Sequence, residues 1–398
     1  MQNPTTPAHR RLAAQLVTVT RAHGGLAPVD LKRFHADQEI AGNDAFGKSI
    51  PQCPLGIWMS GECVYAELGI PEDPWRYDHD EAWRLQLNKA YNDLAERLIG
   101  KRLLPETRGE PRPAFPPAKA LQDIFEAKNV WHAGSWWLEQ VAHNEGELEA
   151  LLDRVEARLA NLRAFLLPPE WDQVKDGLLR QGVKPPAYRG QRGPVTFATS
   201  VYGPENLVYL IQDNPDLAAR FRDAIRNAML GVAKLLDAEA GYKAGEEPHG
   251  FGFADDNCCL LTARMYEFFA LPIVKAVFDY CSPNPGDSRY QHSDSDMGHI
   301  VPVLAKMHMT GVNFGPTVPV SHIRRHLPKA VIYGQLAPFT FSRNEEEGIV
   351  AEFIRDFELA REHRGLVFST AGSINNGSRL AGLRLIMAAI QRYGRYDA

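Results

Sequence analysis

The sequence predicts an α/β fold, a (β/α)8 barrel carrying a mostly helical N-terminal extension. Two observations predict it. From Gly193 onward, short β-forming runs alternate with helical runs, which implies parallel strands joined by right-handed crossovers. No Gly-x-Gly-x-x-Gly turn follows the early strands, whereas an open dinucleotide-binding sheet would show one. The expected division is an extension over residues 1–120 and a barrel over residues 121–398.

In the extension, Asp80 to Leu98 has helical spacing, and Leu55 to Met59 is a candidate barrel strand. Pro105 to Pro117 holds five prolines, which remove backbone donors and forbid a regular helix or central strand. A segment near Asn129 is the other candidate for an eighth strand; Trp136 to Ala142 reads as a seventh, followed by a helical stretch to Leu166. Gly182 to Gly193 is irregular and rich in glycine and basic residues.

Pro194 to Ser200 is apolar and reads as a strand, with helical spacing from Pro204 to Leu236. His249 to Ala254 reads as a strand before a helix over Leu261 to Tyr280, and Arg289 to Ser293 as a strand before a helix over Met297 to Thr310. Val312 to Gly315 and Ala330 to Gly334 are short strands around the helix Val320 to His326. The amphipathic helix Glu345 to His363 leads to the strand Leu366 to Ser369, and Leu380 to Tyr393 is a closing helix.

Composition narrows the function classes. Forty-four Lys and Arg against 49 Asp and Glu leave a formal charge of −5, which offers no general attraction to phosphate backbones or anionic lipid. Nucleic acid and membrane are therefore not expected partners; a small-molecule substrate is. No run approaches the roughly 20 apolar residues of a membrane helix, and the N-terminus lacks the order of a signal peptide, so the expected location is cytoplasmic. Five cysteines (Cys53, Cys63, Cys258, Cys259 and Cys281) are an odd number at irregular spacing, which reads as reduced thiols.

Barrel enzymes place their working groups where strands end at the C-terminal face. After His249 to Ala254 come Asp255, Asp256 and Cys258; within and after the next strand come His292 and Asp294. Imidazole, carboxylate and thiolate together can ligate Zn²⁺ or another divalent metal, so His292, Asp294, Asp256 and Cys258 are candidate metal ligands. Asp255, Asp256, His292 and Asp294 are candidate catalytic residues, because neighbouring carboxylates hold one proton near neutrality. The ordinary alternatives are helix capping for the aspartates and apolar packing for the cysteine. Arg189 and Arg192 could grip a substrate carboxylate.

The stretch from Gly193 to Tyr396 resembles the uroporphyrinogen decarboxylase superfamily, which includes cobalamin-linked methyltransferases. The residues carrying the resemblance are Gly193-Pro194-Val195-Thr196, Ala254-Asp255-Asp256 with Tyr266-Glu267-Phe268 and Leu271-Pro272, and Gln291-His292-Ser293-Asp294. Gly311-Val312-Asn313, Tyr333-Gly334-Gln335, Ser369-Thr370-Ala371-Gly372-Ser373 and Arg392-Tyr393-Gly394 continue the series. Tyr65 to Pro71 and Tyr91-Asn92-Asp93 look like the methyltransferase-like branch. The resemblance implies a TIM barrel, a zinc or other divalent metal, a corrinoid or corrinoid protein as methyl acceptor, and substrate contacts from Tyr333, Gln335 and Ser369. The Arg-x-Ala-Gly-Arg-Tyr motif that grips tetrapyrrole carboxylates in the decarboxylases is not found, which argues against uroporphyrinogen as substrate. Where the zinc methyltransferases carry His-x-Cys, this chain has His292 and Asp294, and its last strand offers Ser369 and Thr370 with no cysteine.

Three readings follow. The first is methyl transfer from a small methylated substrate to a corrinoid or thiol, assisted by a metal. The second is a metal-independent decarboxylase or lyase on a small carboxylic acid, with Asp255 or Asp256 as proton donor. The third is a non-catalytic protein that binds metal or corrinoid.

Overall fold

The computed structural model describes residues 4–243 and 245–397. It shows an α/β fold with six parallel strands among helices, and the chain divides into two compact units. One unit comprises residues 110–293 and 299–310, the other residues 1–109, 294–298 and 311–398.

The first of these units holds a hairpin, β1 (Asn129–His132) and β2 (Ser135–Leu138), paired antiparallel. The expected parallel strand from Trp136 to Ala142 is therefore corrected. Ala133 and Gly134 both have positive φ, 49° and 79°, the geometry of the two-residue turns that fold a chain back on itself. Its parallel strands are β3 (Gly190–Arg192), β4 (Phe251–Ala254) and β5 (Arg289–Ser293), in that order. Arg192 pairs with Ala254, and Ala254 with His292. Along β4 the side chains alternate: Phe251 and Phe253 are buried while Gly252 and Ala254 are half-buried, as the period of two requires. Phe253 packs edge-on against Phe278, 5.5 Å between ring centres, on the helix Leu271–Cys281.

The run expected as a strand at Pro194 to Ser200 is a helix, Pro194–Tyr202. Pro194 at its first turn has no N–H to leave unpaired, and nearly every residue in it is buried. A wholly buried helix carries no amphipathic period, so an apolar run of this length reads equally as a strand. The expected helix from Met297 to Thr310 is likewise shorter, Val301–Leu304 followed by a 3-10 turn, Ala305–Met307. His308 ends that turn in the left-handed region, at φ 51°.

The other unit joins the N-terminal helices to β6 (Gly311–Phe314), β7 (Val331–Leu336) and β8 (Leu366–Thr370), parallel in that order. β6 is buried throughout. Leu55 forms a parallel bridge to Phe368 of β8, and the amides of Gly56 and Phe368 bond across it at 2.8 Å each. The expected strand at Leu55 to Met59 is thus reduced to one bridged residue, whose own amide and carbonyl are taken by the Gln38 side chain, at 2.8 and 2.9 Å. The helix Glu81–Ile99 begins at Asp80, whose carboxylate accepts from Trp83 N–H, as expected of an N-cap. Phe353 of the helix Glu346–Arg361 packs edge-on to Phe368 at 4.9 Å. No helix among the described residues is long and apolar enough to cross a membrane.

Candidate functional site

Asp255 and Asp256 follow β4 directly, and His292 is the fourth residue of β5, beside Ala254. The backbone fixes this pairing: Asp255 N–H donates to His292 O at 2.9 Å. Asp256 and His292 are both half-buried, and each offers a ligand atom within 4.8 Å of the other's. One nitrogen and one carboxylate oxygen that close can share a divalent cation or a proton.

Asp255 is fully buried. Its Oδ1 accepts from Thr196 N–H at 2.8 Å, so it serves the start of the Pro194–Tyr202 helix, whose own N-cap, Gly193, has no side chain to do so. Gly193 is required by the same contact. A Cβ there would lie 2.0 Å from Asp255 Cβ. Asp255 Oδ2 has no hydrogen-bond partner, and burial, reinforced by the charge of Asp256 and opposed by the Thr196 bonds, pushes the carboxyl up to about 7.

Cys258 lies in the 3-10 turn Asp256–Leu260, fully buried, 3.9 Å from Ser293 Oγ. Burial holds its thiol well above the usual range, which disfavours the thiolate a metal would need. Two residues for which the sequence suggested no role adjoin this region. Tyr266 and Gln291 are fully buried side by side, the Gln291 amide facing the Tyr266 hydroxyl, and burial holds that hydroxyl well above its usual range. Their presence in the family-like motifs was the available signal; that the two polar groups are buried together could be seen only in three dimensions.

Of the two candidate arginines, Arg192 stands at the C-terminal end of β3, level with Ala254, and reaches Trp136 O at 3.3 Å. Arg189 precedes β3 at its other end, bonding Asp237 at 2.7 Å and Pro248 O at 2.6 Å. The structure does not bring it to the strand end that carries His292.

In the unit built on β6 to β8, Asp294 accepts from Ser373 N–H at 3.1 Å, in the loop that follows β8. A Cβ on Gly372, at φ 98°, would fall 2.3 Å from Asp294 Oδ1, so only glycine leaves room for that carboxylate. Gln335 is buried near the end of β7 and donates to Val318 O at 2.6 Å and Gly315 O at 3.2 Å, leaving its Oε1 unpartnered. Asn313 of β6 donates to Tyr333 O and, at 2.8 Å, to Thr370 O. Ser369 donates to Gly56 O at 3.1 Å, and Tyr333 is 37% exposed.

Residues 180–393, more than half of the chain, match the uroporphyrinogen decarboxylase (URO-D) family model. Among solved structures, a methyltransferase from Methanosarcina mazei matches with 14% identity and a TM-score of 0.43, over 85% of this chain and 99% of that one. No curated protein sequence matches.

Proposed function

The chain belongs to the uroporphyrinogen decarboxylase family, and we propose that it is a methyltransferase moving a methyl group from a small methylated substrate to a corrinoid or thiol acceptor. The reading takes its strands as part of a closed (β/α)8 barrel. The observation that carries it is the Asp256 and His292 pair at the strand ends, ligand atoms within 4.8 Å. They form an imidazole and carboxylate donor pair that fits zinc or a harder divalent ion, and Asp294, two residues beyond His292 in the chain, is proposed as a further ligand. Cys258, sealed and held protonated, is the least suited of the four candidate ligands.

A bound divalent ion would polarise the oxygen, nitrogen or sulfur bearing the methyl group. Asp255 anchors the turn that presents Asp256 through its bond to Thr196 N–H. Arg192, Tyr333, Gln335 and Ser369 are the proposed substrate contacts, and a corrinoid protein is the proposed partner.

The test is elemental analysis of protein purified without added metal, beside His292→Ala, with methyl transfer assayed to free cobalamin and to a thiol. Near-stoichiometric metal in the parent, lost together with turnover in a folded variant, is the expected result. A fully active His292→Ala protein would overturn the proposal.

A second reading has support of its own, since the matching family model is that of a decarboxylase. In it Asp255 or Asp256 protonates the carbon left by the departing carboxylate. Activity on a small carboxylic acid that survives a strong chelator would favour it over methyl transfer.

A further inference from the structure

Within the unit built on β6 to β8, a cavity of about 390 Å³ is lined by Phe46, Arg324, Pro328, Lys329 and His363. It lies where β7 and β8 begin, since Lys329 shortly precedes Val331, and His363 shortly precedes Leu366. Gln335, Ser369 and Thr370 stand at the opposite ends of these strands. A working site of a parallel α/β fold is expected at those opposite ends, so this cavity is separate from the one described above.

Its electrostatics are unusual. Arg324 is 8% exposed, and a guanidinium stays charged in proteins. Its Nη1 donates to Pro328 O at 3.0 Å and Ala330 O at 2.9 Å, its Nη2 to Arg364 O at 3.0 Å and Gly365 O at 3.2 Å. Its Nε has no hydrogen-bond partner. These are neutral dipoles, and among the described residues no carboxylate pairs with Arg324. Neither Lys329 nor His363, both exposed, makes an ion pair or side-chain hydrogen bond among those residues, and no Asp or Glu lines the cavity. A buried charge without a counter-charge is costly. The rest of the wall is apolar: the Phe46 ring lies against the Arg324 guanidinium, 5.3 Å from its carbon, and Pro328 adds a second apolar face.

We propose that this cavity binds a small organic oxyanion, its charged head between Lys329 and His363 over Arg324 and its apolar body against Phe46 and Pro328. The volume falls in the usual range for small-molecule sites. A phosphate ester and a carboxylate present the same acceptor chemistry to these donors, and the choice of probes separates them.

The experiment is titration calorimetry in phosphate-free, low-salt buffer with phenyl phosphate, benzoate and inorganic phosphate as probes. The proteins are the parent, the double variant Lys329→Ala/His363→Ala, and His292→Ala. One site is expected, filled more tightly by an aromatic anion than by inorganic phosphate. Preference for phenyl phosphate assigns a phosphate head, and preference for benzoate a carboxylate. Affinity should fall roughly tenfold or more in the double variant, which removes an exposed ammonium and an exposed imidazole, and stay unchanged in His292→Ala. Absence of saturable binding, binding indifferent to the double substitution, or binding lost in His292→Ala would each overturn the proposal. Because the His292→Ala arm reads this site apart from the strand-end site, failure of either proposal leaves the other standing.

Discussion

Gly193 shows how a single missing side chain organises the strand-end region. As N-cap of the Pro194–Tyr202 helix it offers no side-chain oxygen, and its bare Cα lets the Asp255 side chain come close enough to take Thr196 N–H at 2.8 Å. In Gly193→Ala the new Cβ would meet Asp255 Cβ at 2.0 Å, so the carboxylate or the helix start must move. Losing the cap bond costs about 1 kcal/mol, and leaving a buried acceptor unmet adds about 1–3 kcal/mol. Thermal unfolding should therefore show Gly193→Ala destabilised by roughly 2–4 kcal/mol, with turnover reduced because Asp256 follows Asp255. Gly190→Ala is the control: its nearest neighbour would be Gly252 O at 3.7 Å, an ordinary contact, and it should unfold with the parent. Equal stability of the two variants would refute the role given to Gly193.

Among the helices, Glu239 is the corresponding point of control. It ends the helix Pro215–Glu239 and receives Arg163 Nε at 2.8 Å, Lys175 Nζ at 2.8 Å and Trp171 Nε1 at 2.9 Å. Its burial raises the carboxyl, but these bonds outweigh that and hold it down at about 2. A folded value below the unfolded one stabilises the protein above the unfolded value of about 4.5, and the contribution fades as pH falls from there toward about 2. The shift corresponds to at most about 3 kcal/mol. Glu239→Gln should thus be destabilised at pH 7, with the gap narrowing below pH 4.5 and closing only near pH 2, read by denaturant midpoints across that range. A gap that stays constant with pH would show that the clamp acts through packing alone.

The same scale shows what a sequence discloses and what it conceals. β4, β5 and β7 were legible because alternation and flanking turns marked them, and the Glu81–Ile99 helix because Asp80 marks its start. The Pro194–Tyr202 helix was not, since burial on every side erased its period. At the hairpin, the preference of Trp-rich runs for strands was read correctly, while the Ala133-Gly134 turn that reverses the chain was missed. Of the candidate site, the nearness of Asp256 and His292 could be anticipated from consecutive strands. That Arg189 is engaged by Asp237, 48 residues away in sequence, could not, because nothing local to either residue records the pairing.

At the scale of the molecule, a bound metal should appear as stability. A ligand that binds the folded chain and not the unfolded one stabilises it according to its concentration over Kd, by about 2.7 kcal/mol at a hundredfold excess. Unfolding entropy grows with chain length, about 2.1 cal/mol/K per residue, so for 398 residues this amounts to a rise of only a few degrees. The informative comparison is therefore between variants. Zn²⁺ added to chelator-treated parent should raise its unfolding temperature by about 3 °C at that excess, and chelator should reverse it. His292→Ala and Asp256→Asn should not respond, because a half-buried pair stripped of one donor no longer competes with water for the ion. A free thiol can also bind zinc, and Cys259 is the least buried of the five cysteines. Cys259→Ser should consequently keep the full response. If it were the silent variant and His292→Ala the responsive one, the metal would belong to that thiol, and the strand-end carboxylates would be left to acid and base chemistry.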